Sequence, residues 1–334
     1  MSVAHDLVVR AAAHDTLDSV VEQARLAERL GFDRVSAGET TGRDMVTTFA
    51  VVGERTDHIG VSTDVLSPYG RAPTVLAQTA LTMHEATGGR FRLGLGTSSP
   101  AIAERWHGAA FDRPLRRLRE TIDIVHEVYE GGRVSYDGEV FEVGGLSYDG
   151  PTADDPPPVD VAALGPKAVE LAGRFADGWV PQLFTTEGLA DRLADLERGA
   201  ALGDRSADDV RVAPILRCFA SADDPAAARE ATRSTVAFLV GAYGPFYGQS
   251  LADQGYPEVV EEIRAAWDER DTDAMAAALP DDLLDALAAC GTPEQVRERL
   301  DAFATLDGVD ALRVGFVEGM DREAERETME TVVD

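Results

Sequence analysis

Several residue clusters in this sequence have the types and spacing for chemistry. Gly94, Gly96, Thr97, Ser98 and Ser99 share one loop, LGLGTSSP. Its hydroxyls and backbone N–H groups can contact a ligand, and bare glycine backbone lets a bulky ligand lie close. The plainer alternative is a Gly-rich turn. Ala163, Leu164, Gly165, Pro166 and Lys167 read as a strand end opening into a helix. A helix N-terminus offers free N–H groups and a partial positive charge to a phosphate. Of 31 Lys+Arg, Lys167 is the one lysine, and its alternative is a solvated face. Glu39, in AGET, could accept hydrogen bonds or donate a proton if its pKa is raised; otherwise it caps the helix that follows. Arg10 is suited to hold an anion, or else pairs with Asp6 or Glu39. Trp106 could stack on a flat molecule and His107 could titrate near neutral pH, the alternative being a packed Trp and a hydrogen-bonded His.

Other chemistries find no support. The remaining histidines show no metal-ligand spacing, so no metal is expected. GxSxG and Walker A patterns are absent, which argues against a hydrolase or nucleotidase. Cys218 and Cys290 lack a CxxC pattern and read as two buried thiols.

The elements that must position these residues follow from periodicity. Strands are expected at Leu7–Ala12, Arg34–Ala37, Ile59–Val65, Phe91–Leu95, Val159–Ala163, Gly178–Pro181, Val210–Ala220 and Ala311–Val317. Helical spacing separates them, as in Thr16–Leu30, closed by Gly31. Asp137-Gly138 marks a hairpin within Val134–Val143. From Pro225 to Ala289 the pattern is almost wholly helical, too long for one crossover, and reads as a helical insertion at about 243–290. Strands alternating with helices predict a single α/β domain over 1–334, a (β/α)8 TIM barrel, with a doubly wound sheet as the alternative. Such folds place chemistry in the loops at the carboxyl ends of the strands.

Bulk properties narrow the partners. The formal net charge is −29, which argues against nucleic acid as a partner. No apolar run is long enough to span a bilayer. No secretory signal is visible, so a cytoplasmic location is expected. Many acids, many alanines and one lysine form a composition seen in extreme halophiles; a GC-rich genome would also deplete lysine.

Four segments together resemble the bacterial luciferase-like superfamily, in its branch dependent on coenzyme F420, a deazaflavin. They are SPYGRAPTVLAQTALTMHEATGGRFRLGLGTSSP (Ser67–Pro100), the helix ending AERLGFD (Ala27–Asp33), ALGPKAVELAGRFADGWV (Ala163–Val180) and GTPEQVRERLDAF (Gly291–Phe303). Within that branch the sequence is most similar to methylenetetrahydromethanopterin reductase. The resemblance implies a luciferase-like (β/α)8 barrel, a homodimer or higher oligomer, and hydride transfer between F420 and a small organic substrate. A non-proline cis peptide pressing on the deazaflavin carries over to Asp64-Val65. The loop after the fourth strand wraps the cofactor, and Ala163–Lys167 meets its phosphate. Relatives often have an acid followed by His near the deazaflavin's polar edge; here Glu39 keeps the acid and Thr40 replaces the His. The reductase has Glu where this chain has Arg10, so Arg10 points to a substrate bearing a carboxylate or phosphate. Glu39, Arg10 and His107 are the candidate catalytic residues. Asp64, Val65, Gly96, Thr97, Ser98 and Ala163–Lys167 are the candidate cofactor contacts. The expected function is an F420-dependent oxidoreductase, with a methylenetetrahydropterin or methylenetetrahydrofolate reductase of one-carbon metabolism as its most concrete form. The alternatives are an FMN-dependent monooxygenase and a non-catalytic flavin-binding relative.

Overall fold

The computed structural model describes residues 3–333. Strand and helix alternate through most of the chain. The first half contains β1 (Ala4–Val8), α1 (Leu17–Leu30), β2 (Arg34–Ala37), α2 (Met45–Glu54), β3 (Gly60–Thr63), α3 (Pro73–Ala86), β4 (Phe91–Leu95) and α4 (Pro114–Tyr129). A hairpin of β5 (Gly132–Asp137) and β6 (Glu142–Tyr148) stands apart from the main sheet. Then come β7 (Val159–Ala162), α5 (Pro166–Phe175), β8 (Gly178–Val180), α6 (Thr186–Leu202), β9 (Arg211–Val212) and β10 (Ile215–Ala220).

The expected helical insertion is a run of helices: α7 (Pro225–Ala242), α8 (Pro245–Asp253), α9 (Pro257–Glu269), α10 (Thr272–Ala277) and α11 (Asp281–Leu287). Its expected end at about 290 overruns. Ala288–Gly291 is a strand, β11, paired in parallel with β10. Alanines at 288 and 289 favour helix locally, but burial beside β10 decides their state. The chain closes with α12 (Pro293–Ala304), β12 (Ala311–Gly315) and α13 (Arg322–Val333). The first strand also differs from expectation: it ends at Val8, and Ala11–Ala13 forms a 3-10 turn.

Parallel pairing runs β12-β1-β2-β3-β4-β7-β8-β9. β9 and β10 are successive stretches of one segment, interrupted at Ala213-Pro214. β10 pairs with β12, and the bridge Gln182 to Ile215 joins the β8 side. The sheet therefore closes on itself as the expected barrel. Local signals start and stop its helices. Thr16 accepts the N–H of Ser19 at the start of α1, and Gly31, at φ 91°, donates to the Ala27 and Glu28 carbonyls at its end. A left-handed residue here favours glycine.

Leu7, Val35, Val61, Leu93 and Val161, one from each of five barrel strands, are wholly buried in the main apolar core. Charged side chains meet inside the ring. The Arg313 side chain, 1% exposed, pairs with Asp64 at 2.5 Å and Asp160 at 3.2 Å. Arg92 pairs with Asp160 at 2.5 Å, and Arg211 with Asp6 at 2.9 Å. With Arg313 Nε 3.7 Å from Asp6, these contacts tie β12, β7, β4, β1 and β9 to the loop after β3. The ends of such pairs satisfy one another in a low dielectric, where a lone charge would be costly.

Candidate active site

The loops that leave the carboxyl ends of the barrel strands enclose a cavity of about 490 Å³. Glu39 comes from the loop after β2, Asp64 and Val65 from that after β3, and Gly96, Thr97 and Ser98 from that after β4. Ala163, Leu164, Gly165, Pro166 and Lys167 come from the turn into α5. The far wall is Gln182 and Ile215 with Tyr243, Phe246 and Tyr247 from the helical run. A cavity of about 610 Å³ opens at the opposite end, lined by Arg92, Asp177, Arg211 and Asp310. Those residues precede or begin the strands, the end of a barrel that serves stability. The candidate site is therefore the cavity at the carboxyl ends.

The Asp64-Val65 peptide is cis, at the position the resemblance implies. Asp64 Oδ1 accepts from Arg313 at 2.5 Å and Oδ2 from the Ser36 hydroxyl at 2.6 Å, so the carboxylate is anchored inside the barrel. Close glycine contacts make room for this turn. A Cβ on Gly96 would stand 2.5 Å from Val65 Cγ2, and one on Gly38 would stand 2.6 Å from the Asp64 carbonyl oxygen. Ser98 adopts φ 59°, a region rare for residues with side chains and concentrated at functional sites.

The turn into α5 has the features of a phosphate cradle. No side chain caps the helix, and Pro166 occupies its first turn. A Cβ on Gly165 would meet nothing within 4 Å, so bare backbone faces open space. The Lys167 side chain is 77% exposed and pairs with Glu170 at 3.0 Å. These residues fit a flat, phosphate-bearing cofactor: backbone and small side chains on one side, a free helix N-terminus on the other.

Three residues singled out for catalysis stand differently. Glu39 lines the cavity, but both its oxygens are engaged. It accepts from Arg71 through Oε1 and Oε2, and from the Met45 N–H at 2.9 Å. It therefore receives the first N–H of α2, whose N-cap residue is Asp44, and pairs with Arg71. Arg10 does not line the cavity; it pairs with Glu318 at 2.9 Å and Glu325 at 3.9 Å. Neither Asp6 nor Glu39 is its partner, since Asp6 is held by Arg211 and Glu39 by Arg71. His107 follows a single π-helical turn, Ile102–Trp106, and its ring lies against Gly70, outside the cavity lining. Trp106 is 59% exposed.

The sequence reading missed the wall opposite α5. Gln182 is far in sequence from Tyr243, Phe246 and Tyr247, and nothing local joins it to them. The three aromatics, spaced i, i+3 and i+4 in a helix-rich stretch, were the available signal.

A family model for the luciferase-like monooxygenases matches residues 2–310, and the chain belongs to that family. A putative coenzyme F420-dependent oxidoreductase of Mycobacterium tuberculosis is 31% identical, over 84% of this chain and 85% of that protein. A 5,10-methylenetetrahydromethanopterin reductase of Methanolobus tindarius is 29% identical, over 92% of this chain and 93% of that protein. Among solved structures, the coenzyme F420-dependent tetrahydromethanopterin reductase of Methanopyrus kandleri has a TM-score of 0.82 at 21% identity, covering 100% of this chain and 98% of its own. An F420-dependent secondary alcohol dehydrogenase scores 0.79 at 18% identity, with full coverage of both chains. The two structures share the fold, and the sequence relatives set the chain beside the family's F420-dependent oxidoreductases.

Proposed function

We propose that this protein is an F420-dependent oxidoreductase that moves a hydride between the deazaflavin and a small organic substrate. One observation carries the reading. A single cavity joins the Asp64-Val65 turn, packed against Gly38 and Gly96, to the uncapped N-terminus of α5, in a chain whose sequence relatives include F420-dependent enzymes. When bound, the deazaflavin supplies or accepts the hydride. The protein's task is to orient and enclose the reactants.

Val65 and Gly96 would support the flat ring system. Thr97 and Ser98 would offer hydroxyl and backbone groups to its polar edge. Gly165 and the first turn of α5, with Lys167 alongside, would hold the phosphodiester through backbone N–H groups. Tyr243, Phe246 and Tyr247 close the opposite side and would keep water from the substrate face. Glu39, neutralised by Arg71, would shape the floor and not carry a proton.

The methylenetetrahydromethanopterin reductases among the relatives make a methylene-pterin the first substrate to try, and short alcohols and ketones the second. The binding test is direct. F420 mixed with the purified protein should lose fluorescence saturably, and FMN should bind far more weakly. Binding of FMN with no binding of F420 would overturn the proposal in favour of a flavin monooxygenase.

A further inference from the structure

Gln182, two residues past β8, stands between Tyr247 and Arg217. Both Gln182 and Tyr247 line the cavity. Arg217 lies within β10, and its Nη1 donates to the Phe316 carbonyl at 3.1 Å. Among the described residues no carboxylate lies within pairing distance of Arg217. Elsewhere in the barrel, the Arg313 and Arg92 guanidiniums are paired with carboxylates. Glu318, the acid on its side of the barrel, is bonded to Arg10.

The amide of Gln182 can be set in two orientations, and one gives both ends a partner of the right kind. In it, Oε1 accepts from Arg217 Nη2 at 2.7 Å and Nε at 3.3 Å, while Nε2 donates to the Tyr247 hydroxyl oxygen at 2.9 Å. The other orientation sets the amide N–H against a guanidinium, donor against donor. The satisfied orientation has a consequence for Tyr247. Its oxygen already accepts a hydrogen bond, so its own proton is free for a group in the cavity.

We propose that Tyr247 is the catalytic proton donor of this enzyme, aligned by Gln182 and Arg217, and that the substrate is reduced at a carbonyl group. The inference rests on the F420 reading above. Two further observations agree with it. Glu39, the acid near the same cavity, is committed to Arg71 and to the α2 N-terminus. Burial pushes the Tyr247 phenol up to about 12, against the opposing charge of Arg217, so it carries its proton at neutral pH.

The carbonyl carbon accepts the hydride that reduced deazaflavin supplies, and a C–H bond forms. The π pair of the C=O bond moves to oxygen, which takes the Tyr247 proton as the phenolic O–H breaks. The carbonyl is reduced to an alcohol and the deazaflavin is oxidised. Once the alcohol has left, water reaching the emptied cavity returns a proton to Tyr247. Arg217 faces the phenolate through the Gln182 amide and stabilises it meanwhile. A methylene-pterin would take its proton on the amine nitrogen released as the methylene bridge opens, and not on a carbonyl oxygen.

The test uses the intact protein, F420 and a panel of short aldehydes and ketones. F420 binding is measured first, by fluorescence, in every variant. Failure of the wild type to bind would overturn the F420 reading and this inference with it. With binding intact, wild type should oxidise reduced F420 with at least one carbonyl compound. Tyr247→Phe should lower kcat by about 100-fold, the scale of a general acid, with F420 affinity unchanged. Gln182→Glu is the sharper variant. Its carboxylate pairs with Arg217, so the fold is kept, but it accepts the Tyr247 proton and withdraws it from the substrate. It should lose kcat as Tyr247→Phe does while its melting temperature holds or rises. A second readout needs no turnover. The infrared stretch of the best ketone, 13C-labelled and bound with oxidised F420, should lie lower in wild type than in either variant. Full activity in Tyr247→Phe, an unshifted stretch in wild type, or turnover of methylene-pterin with none of any carbonyl would each overturn the proposal.

Discussion

Arg313 Nη1, on β12, lies 2.5 Å from Asp64 Oδ1, in the loop after β3. The contact crosses the inside of the barrel, and both side chains are 1% exposed. It anchors from below the turn that carries Val65 into the cavity. The same guanidinium reaches Asp160 on β7, so one arginine ties the cavity floor to two sides of the ring. Removing one partner leaves the other charge buried. Arg313→Met should therefore cost about 3–5 kcal/mol. Asp64→Asn should cost less, because the amide keeps a hydrogen bond to Ser36. Urea unfolding of the two variants checks the order, and equal stability of wild type and Arg313→Met would refute the role.

The barrel, the hairpin and the α5 turn were readable from the sequence because each rests on local signals. Period-2 and period-3.6 patterns, Gly31, Asp137-Gly138 and Gly165-Pro166 all act within a few residues. The buried ion cluster was not readable. Asp6, Asp64, Asp160 and Arg313 are far apart in the chain, and each alone looks like a surface charge. Only closure of the ring brings them together. The same reason explains Glu39 and Arg10. Their residue types suit catalysis, but their partners Arg71 and Glu318 arrive from distant segments. Gln182 and Tyr247 meet only where β8 faces α8.

Gly165 separates folding from binding. Its backbone is extended, at φ −83°, and a Cβ there meets open space. Gly165→Ala should fold as well as wild type, or gain about 0.4–1 kcal/mol from a less flexible unfolded chain. The added methyl would intrude on the phosphate cradle. F420 affinity should fall about tenfold, roughly 1.4 kcal/mol, with the melting temperature held. Unchanged affinity would show that the phosphate sits elsewhere.

Acid should destabilise the fold through three carboxylates. Burial works to raise Asp160, but Arg92, Arg313 and Arg211 outweigh it and hold the group well below its usual range. For Glu120 burial is outweighed by the backbone N–H groups of Phe141, Val140 and Glu139, and for Glu28 by those of His58, Ile59 and Asp57. A folded pKa below the unfolded one adds stability above the unfolded value and loses it as pH falls toward the folded value. The unfolded values are 4.5 for Glu and 3.8 for Asp. The contribution of these three carboxylates should be complete above about pH 5 and decline steadily below, on top of an earlier, shallower loss below 6.5 from His5 and His14, which burial holds below that value. Glu120→Gln should start lower and decline less. A flat profile to pH 3 would refute the assignment.

Both thiols should be inert in the native protein. Cys218 is 0% exposed and Cys290 4%. Burial pushes the first up to about 12 and the second up to about 11. Thiolate is the reactive form, so it is scarce at pH 8. A disulfide-exchange reagent should label neither cysteine in buffer and both in guanidinium chloride. Rapid labelling of the native protein would show that the barrel opens around β10 and β11.

Salt should stabilise this protein. Its formal net charge is −29, and the interior acids are already paired, so the excess lies on the surface. Such a surface repels itself over roughly 30 Å at 0.01 M salt and only about 3 Å at 1 M. Folding brings these charges together, so dilute buffer penalises the native state more than the expanded chain. The buried Arg313, Asp64 and Asp160 pairs are shielded from ions and should not weaken as salt rises. Thermal melts from dilute buffer to molar KCl should therefore climb, most steeply at the low end where screening changes most. Sucrose at matched osmolality controls for solute exclusion and should give a smaller, more gradual rise. Identical melting in dilute buffer and molar KCl would show that the acidic surface carries no folding penalty, and that the scarcity of lysine reflects codon usage alone.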